Sequence, residues 1–149
     1  MGGNMIKFSG GCLCGEVRYE VSGEVLRTLN CHCDDCRKNT GAAFVTNIFI
    51  NRADLTISQG KVRVFEHVSD AGNPKIKEFC PNCGSQLFGA TRGRDTITVK
   101  AGSIDDADFV QPEANVFTSK ALSFIHLSDD LKRIDAITSK RGKSRPAHK

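Results

Sequence analysis

Seven cysteines fall into three tight clusters along 149 residues, and no other feature of the chain narrows its fold so far. Cys12 and Cys14 form C-x-C in GGCLCG. Cys31, Cys33 and Cys36 form C-x-C-x-x-C in NCHCDDCR, and Cys80 and Cys83 form C-x-x-C in FCPNCGS. Thiolates separated by one or two residues converge readily on one ion, and zinc takes four such ligands tetrahedrally at about 2.3 Å each. Disulfides suit the pattern less well, because an odd count leaves one thiol over. The start of the chain, MGGNMIKFSGG, has no charged stretch followed by a long apolar run, so it does not read as a secretory signal. No segment approaches the ~18 consecutive apolar residues of a membrane span. The chain is therefore expected to be soluble and cytoplasmic, where thiols stay reduced, with no membrane partner.

Counting suggests how the thiols divide. A closed structural site needs four ligands, and seven cysteines leave three. The simplest partition joins the two pairs, Cys12, Cys14, Cys80 and Cys83, and leaves Cys31, Cys33 and Cys36 together. The first set would tie the start of the fold to the second half of the chain, where closing a long loop constrains the unfolded state most. The second has three thiolates and an open fourth position, as catalytic zinc does. Its net charge near −1 makes it a weak activator of water and a better receptor for a soft ligand such as a thiol. Other readings stay open here: a metal-free middle cluster, a fourth ligand from His32, or an iron–sulfur cluster on the same thiols. His32 lies between two of the proposed ligands, so its ring is expected to point away from them.

The rest of the sequence reads as a mainly β single domain. Residues 16–21 (EVRYEV) alternate, with Val17, Tyr19 and Val21 on one face. Residues 44–50 (FVTNIFI) have the β-branched and aromatic density of a buried strand. Residues 55–58, 62–68, 75–79 and 96–101 read as further short strands. Gly60, the segment 70–74 and Gly93 punctuate them as turns. Helix is scarce: a short turn is expected over 34–39, and Ser128 with Asp129 and Asp130 predicts a capped helix to about Asp135. Short strands with frequent turns indicate an antiparallel architecture.

The net charge of +4 comes from the end of the chain. Lys140, Arg141, Lys143, Arg145 and Lys149 lie in the last eleven residues, which hold no acid. Without those five, 16 of the 21 basic residues remain against 17 acidic ones, a net of −1. The expected organisation is a zinc domain over 1–138 and a disordered basic tail over 139–149. A near-neutral domain makes nucleic acid an unexpected partner, and homo-oligomerisation stays open.

Several runs resemble a known family. They are Gly11 through Tyr19, then Cys31-His32-Cys33-Asp34-Asp35-Cys36-Arg37-Lys38 with Gly41, then Phe79-Cys80-Pro81-Asn82-Cys83-Gly84-Ser85. Gly102-Ser103-Ile104-Asp105 and residues 112–119 add to the likeness. Together they are similar to the glutathione-dependent formaldehyde-activating enzymes, a family that includes centromere protein V. The resemblance implies a small antiparallel β fold of the zinc-binding Mss4-like (β-tent) type with two zinc ions per chain. It implies a structural zinc on Cys12, Cys14, Cys80 and Cys83, and an exchangeable catalytic zinc on Cys31, Cys33 and Cys36. The implied activity is that of a carbon–sulfur lyase on S-hydroxymethylglutathione or a related thiol adduct, with glutathione or another small thiol as partner. Arg37 and Ser103 are candidate substrate-binding residues, Arg37 because a guanidinium suits a glutathione carboxylate. The sequence departs from the family pattern at Asn115, where histidine is frequent, and at Phe124, where an indole is common. The rival class is a zinc-stabilised binding module without catalysis.

Overall fold

The structure is a computed structural model that describes residues 5–135. Both the end of the expected domain at 138 and the basic segment 139–149 lie outside the described residues. Ten strands, one α-helix and three short 3-10 turns are formed among the described residues. The strands and the α-helix are β1 (Met5–Gly11), β2 (Arg18–Cys31), α1 (Asp34–Thr40), β3 (Val45–Asn51), β4 (Leu55–Gln59), β5 (Arg63–Val68), β6 (Pro74–Phe79), β7 (Gln86–Thr91), β8 (Thr96–Lys100), β9 (Ala114–Val116) and β10 (Lys132–Ile134).

Strand β2 organises the rest. Its first half pairs with β1 on one side and β4 on the other, both antiparallel. Its second half, past a register shift between Val25 and Arg27, pairs with β3 and β9. The bulge lets one fourteen-residue strand serve two sheet surfaces. The large sheet runs β10-β9-β2-β3-β8-β7-β6-β5. Most pairs are antiparallel, as the short strands and turns suggested. The exceptions are β9, which lies parallel to β2, and β10, which lies parallel to β9.

Alternation along the strands separates two apolar clusters. On one face Val17, Tyr19, Val21, Ile48, Ile50, Ile97 and Val99 form the main core. On the opposite face Leu29, Cys31, Cys36, Val45, Ala114 and Val116 form a smaller one beside α1. Tyr19 is fully buried, packs edge-on to Phe88 at 5.0 Å between ring centroids, and shares a 2.7 Å hydrogen bond with the Ser103 hydroxyl. The phenol lies so close over β1 that a Cβ on Gly10 would sit 2.3 Å from its oxygen, which requires glycine there.

The expected helix from Ser128 to about Asp135 is not formed. The Ser128 hydroxyl accepts from the Asp130 N–H at 3.1 Å, as a cap would, but the chain makes only a turn and enters β10. A segment this short nucleates a helix poorly, while Lys132–Ile134 gains an open edge of β9 and packs Ile134 on the smaller core.

Burial pushes the Tyr19 phenol up from 10.0 to about 12. The folded protein therefore favours the protonated phenol. This stabilisation is complete below pH 10 and is lost as the pH rises through about 12, a loss of about 2–3 kcal/mol. Tyr19 is the only tyrosine and there is no tryptophan, so the tyrosinate absorbance band reads this one group. The band should stay flat through pH 10 and appear only near pH 12 or on unfolding. Growth of the band near pH 10 in a folded protein would contradict the burial.

Candidate metal centre

Two tight turns bring the outer cysteine pairs together. In the turn between β1 and β2, the Cys12 N–H bonds the Val17 carbonyl and the chain reverses through Gly15 at φ +85°. In the turn between β6 and β7, the Cys80 N–H bonds the Ser85 carbonyl and Gly84 takes φ +78°. Each turn aims backbone N–H groups at sulfur. Val17 donates to Cys12 Sγ at 3.2 Å, and Asn82 and Cys83 donate to Cys80 Sγ at 3.3 and 3.4 Å. Such donors favour the thiolate. The Leu13 N–H reaches the Ser85 hydroxyl at 3.0 Å and links one turn to the other.

The four sulfurs of Cys12, Cys14, Cys80 and Cys83 lie within 4.8 Å of one another. Cys12 and Cys14 are 3.6 Å apart, and Cys14 and Cys80 are 3.8 Å apart. Zinc–sulfur bonds of about 2.3 Å in a tetrahedron set neighbouring sulfurs about 3.8 Å apart. The donor set and its spacing therefore fit a four-thiolate zinc ion, and the partition reached by counting is the one the fold brings together. Hydrogen bonding from Ser85 holds the Cys83 thiol down to about 5, so one ligand is ready for a cation near neutral pH.

Cys31, Cys33 and Cys36 form the second group, their sulfurs again within 4.8 Å of one another. Cys31 ends β2. Cys33 is the N-cap of α1, its sulfur accepting from the Cys36 N–H at 3.3 Å, and Cys36 lies in the first turn. The helix then stops at Gly41 in the left-handed region. Hydrogen bonds from Cys31 and then Cys33 hold Cys36 at about 2, and burial opposes them. Donating to Cys33 and Cys36 pushes the Cys31 thiol up. Three convergent sulfurs, one of them held toward the thiolate by its neighbours, suit a divalent ion.

His32 is not a member of either group. Its buried ring turns away from the cysteines, donates Nε2–H to Asn115 Oδ1 at 3.0 Å and lies against Phe44 at 4.9 Å. Arg37 follows Cys36 on α1, half-buried, with its guanidinium paired to Asp34 at 2.8 Å. Ser103 sits in the turn after β8, bonded to the Tyr19 hydroxyl and donating to the Lys100 carbonyl at 2.8 Å.

The face of the large sheet that carries Cys31 has a polar floor that sequence reasoning missed. In register, Leu29 is opposite Asn47 and Asn47 is opposite Lys100. Thr98 is opposite Gly89, and Gly89 is opposite Lys77. All these side chains point to one side. Lys100 Nζ donates to Asn47 Oδ1 at 3.0 Å, and burial pushes its ammonium down to about 8. The signal was present in the alternation of KIKEF and TITVK, but lysines at alternate positions are ordinarily read as a solvated face.

The four-sulfur junction links segments sixty-six residues apart. Cys80→Ser should therefore lower Tm by more than ten degrees or abolish soluble expression, since losing a structural metal removes folding energy outright. A purified Cys80→Ser protein that melts within a few degrees of wild type would show that this junction does not hold the fold.

Comparison with known proteins agrees with this geometry. A crystal structure of a Rhodobacter sphaeroides protein from a structural-genomics programme matches with a TM-score of 0.52 at 23% identity, over 70% of this chain and 91% of that one. That likeness is one of fold. The sequence matches the glutathione-dependent formaldehyde-activating enzymes over residues 7–120, a span that contains all seven cysteines and both sulfur groups. The chain belongs to the glutathione-dependent formaldehyde-activating enzyme family.

Proposed function

We propose that the protein is a zinc-dependent carbon–sulfur lyase acting on the formaldehyde adduct of glutathione or a related thiol, with Cys31, Cys33 and Cys36 at its reactive centre. One observation carries this reading, the inequality of the two sulfur groups. One offers four ligands. The other offers three, with no further histidine, cysteine or carboxylate of the described residues converging on it. Three protein ligands and an open fourth position is the arrangement of catalytic rather than structural zinc. Family membership supports the substrate class.

A zinc ion on three thiolates supplies the positive charge that lets a substrate sulfur lose its proton near neutral pH. The residues of the chain do the positioning. The end of β2 and the cap of α1 fix three sulfurs in one arrangement. The buried floor of Asn47 and Lys100 keeps a hydrogen-bonded polar surface beside them. In the joining direction, the sulfur forms a bond to the formaldehyde carbon, the thiol proton leaves to solvent, and the carbonyl oxygen takes up a proton to become a hydroxyl. In the breaking direction the hydroxyl proton leaves, the carbonyl re-forms and the sulfur keeps the carbon–sulfur electron pair. Such additions have modest barriers, so orientation is the main contribution asked of the protein. Arg37, one residue past Cys36 and paired to Asp34, is on this reading the residue that meets a substrate carboxylate. Ser103, expected as a substrate-binding residue, is held instead by Tyr19 of the main core and by the Lys100 carbonyl, and this reading gives it no part in the chemistry.

Cys33→Ser tests the assignment. The middle group spans positions 31 to 36 and closes only a short loop, so its metal constrains the unfolded chain little. The variant should stay folded, fall from two zinc ions per chain to about one by elemental analysis, and lose catalysed formation and breakdown of the adduct followed by NMR. A folded variant that loses one zinc yet keeps full activity would remove the middle group from the chemistry. Unfolding of the variant would make that group structural and favour a binding module.

A further inference from the structure

Most arginines of the described chain are spoken for. Arg18, Arg37, Arg52, Arg92 and Arg133 each pair with a carboxylate. Arg27 and Arg94 have no such partner among the described residues, and both line one open cavity of about 510 Å³. Leu26, Phe49, Asp95 and Thr96 complete most of its lining. Small-molecule sites run from about 300 to 1,000 Å³, so the space suits a small organic molecule rather than a lone ion.

One wall is a stack. Register sets Arg27 directly opposite Phe49, and the guanidinium carbon lies over the ring at 4.4 Å from its centroid. Phe49 packs in turn on the smaller core, which gives the stack a firm base. Arg27 is itself exposed, so its planar group can take a second flat ring on its outer side. The facing wall is the turn between β7 and β8, which reverses through Gly93 at φ +85°. Backbone bonds pin this turn on both sides. The Arg92 N–H donates to the Pro74 carbonyl at 2.8 Å, and the Arg52 N–H to the Asp95 carbonyl at 2.7 Å. Arg94 projects from that fixed turn beside Asp95. Two guanidinium groups against one carboxylate leave the lining positive, and a guanidinium matches a phosphate with two parallel hydrogen bonds. Asp95 only accepts hydrogen bonds, so the complement also carries hydroxyl or amino donors.

We propose that this cavity binds a nucleoside monophosphate, with the base stacked on Arg27, the phosphate met by Arg94, and donors of the ribose or base turned to Asp95. The site is separate from the sulfur centre. Arg27 and Phe49 each lie four residues along their strands from the paired Cys31 and Val45, about 13 Å at strand spacing. The proposal therefore does not depend on what the middle cysteines do.

Titration calorimetry on the zinc-loaded full chain tests it with AMP, adenosine, ribose 5-phosphate and inorganic phosphate. Wild type should bind AMP about tenfold or more tightly than each of the other three, since each of them lacks the base or the phosphate contact. Arg94→Gln should bring AMP down to the level of adenosine. Arg27→Lys keeps the charge but loses the plane, and should bring AMP down to the level of ribose 5-phosphate. Both residues are exposed, so each variant should keep the wild-type melting temperature. Excess glutathione should leave AMP binding unchanged. No heat with AMP, or inorganic phosphate binding as tightly as AMP, overturns the site without needing a variant. Full AMP affinity in Arg94→Gln also overturns it. Displacement of AMP by glutathione would place the nucleotide at the sulfur centre and overturns it as well.

Discussion

Convergence of four sulfurs from two distant turns is the contact on which the rest of this structure depends. Cys12 and Cys14 come from the turn that launches β2, and Cys80 and Cys83 from the turn between β6 and β7. Each turn sends one cysteine into the main core, Cys12 and Cys80, while Leu13 is 90% exposed and Cys14 is exposed as well. What locks them is the shared donor set, reinforced by backbone N–H groups on Cys12 and Cys80 and by the Leu13–Ser85 hydrogen bond. With that junction made, the first strands are fixed against the large sheet, and Tyr19 can close over Gly10 into the main core.

Strand β2 then carries the consequence to the other end of the molecule. It begins just after the first sulfur group, turns through its bulge, and ends at Cys31, the first member of the second group. The two groups thus sit at opposite ends of one continuous element. The first lies on the main core and bears the long-range constraint. The second lies on the opposite face, beside a short helix, and offers three sulfurs. That face also gathers lysines that the opposite face could not tolerate, because the opposite face is filled by Ile48, Ile50, Ile97 and Val99.

Much of this was legible in the sequence because the informative signals were local. Cysteine spacing gave both sulfur groups, and alternation in EVRYEV gave the buried face of Val17, Tyr19 and Val21. The short helix after Cys33 was readable because a cap, two acids and a closing glycine all lie within nine residues. What was hidden depends on partners far along the chain. The second half of β2 becomes strand through pairing with β3 and β9, and β9 through pairing with β2 and β10. The segment after Ser128 carries a proper helix cap and still becomes β10, since an open strand edge outweighs one turn of helix. The lysine floor was hidden for the same reason. Nothing in KIKEF or TITVK says that Lys77 and Lys100 are buried, and the register through Gly89 brings them to one face.

The central claim is that one sulfur group is closed by the chain and the other by a substrate. A crystal grown with zinc and glutathione, measured for anomalous signal at the zinc absorption edge, tests it most directly. The account predicts two peaks per chain, one among Cys12, Cys14, Cys80 and Cys83, the other among Cys31, Cys33 and Cys36 with the glutathione sulfur in the fourth position. A second peak whose fourth ligand comes from the chain itself, or no second peak at saturating zinc, would contradict it.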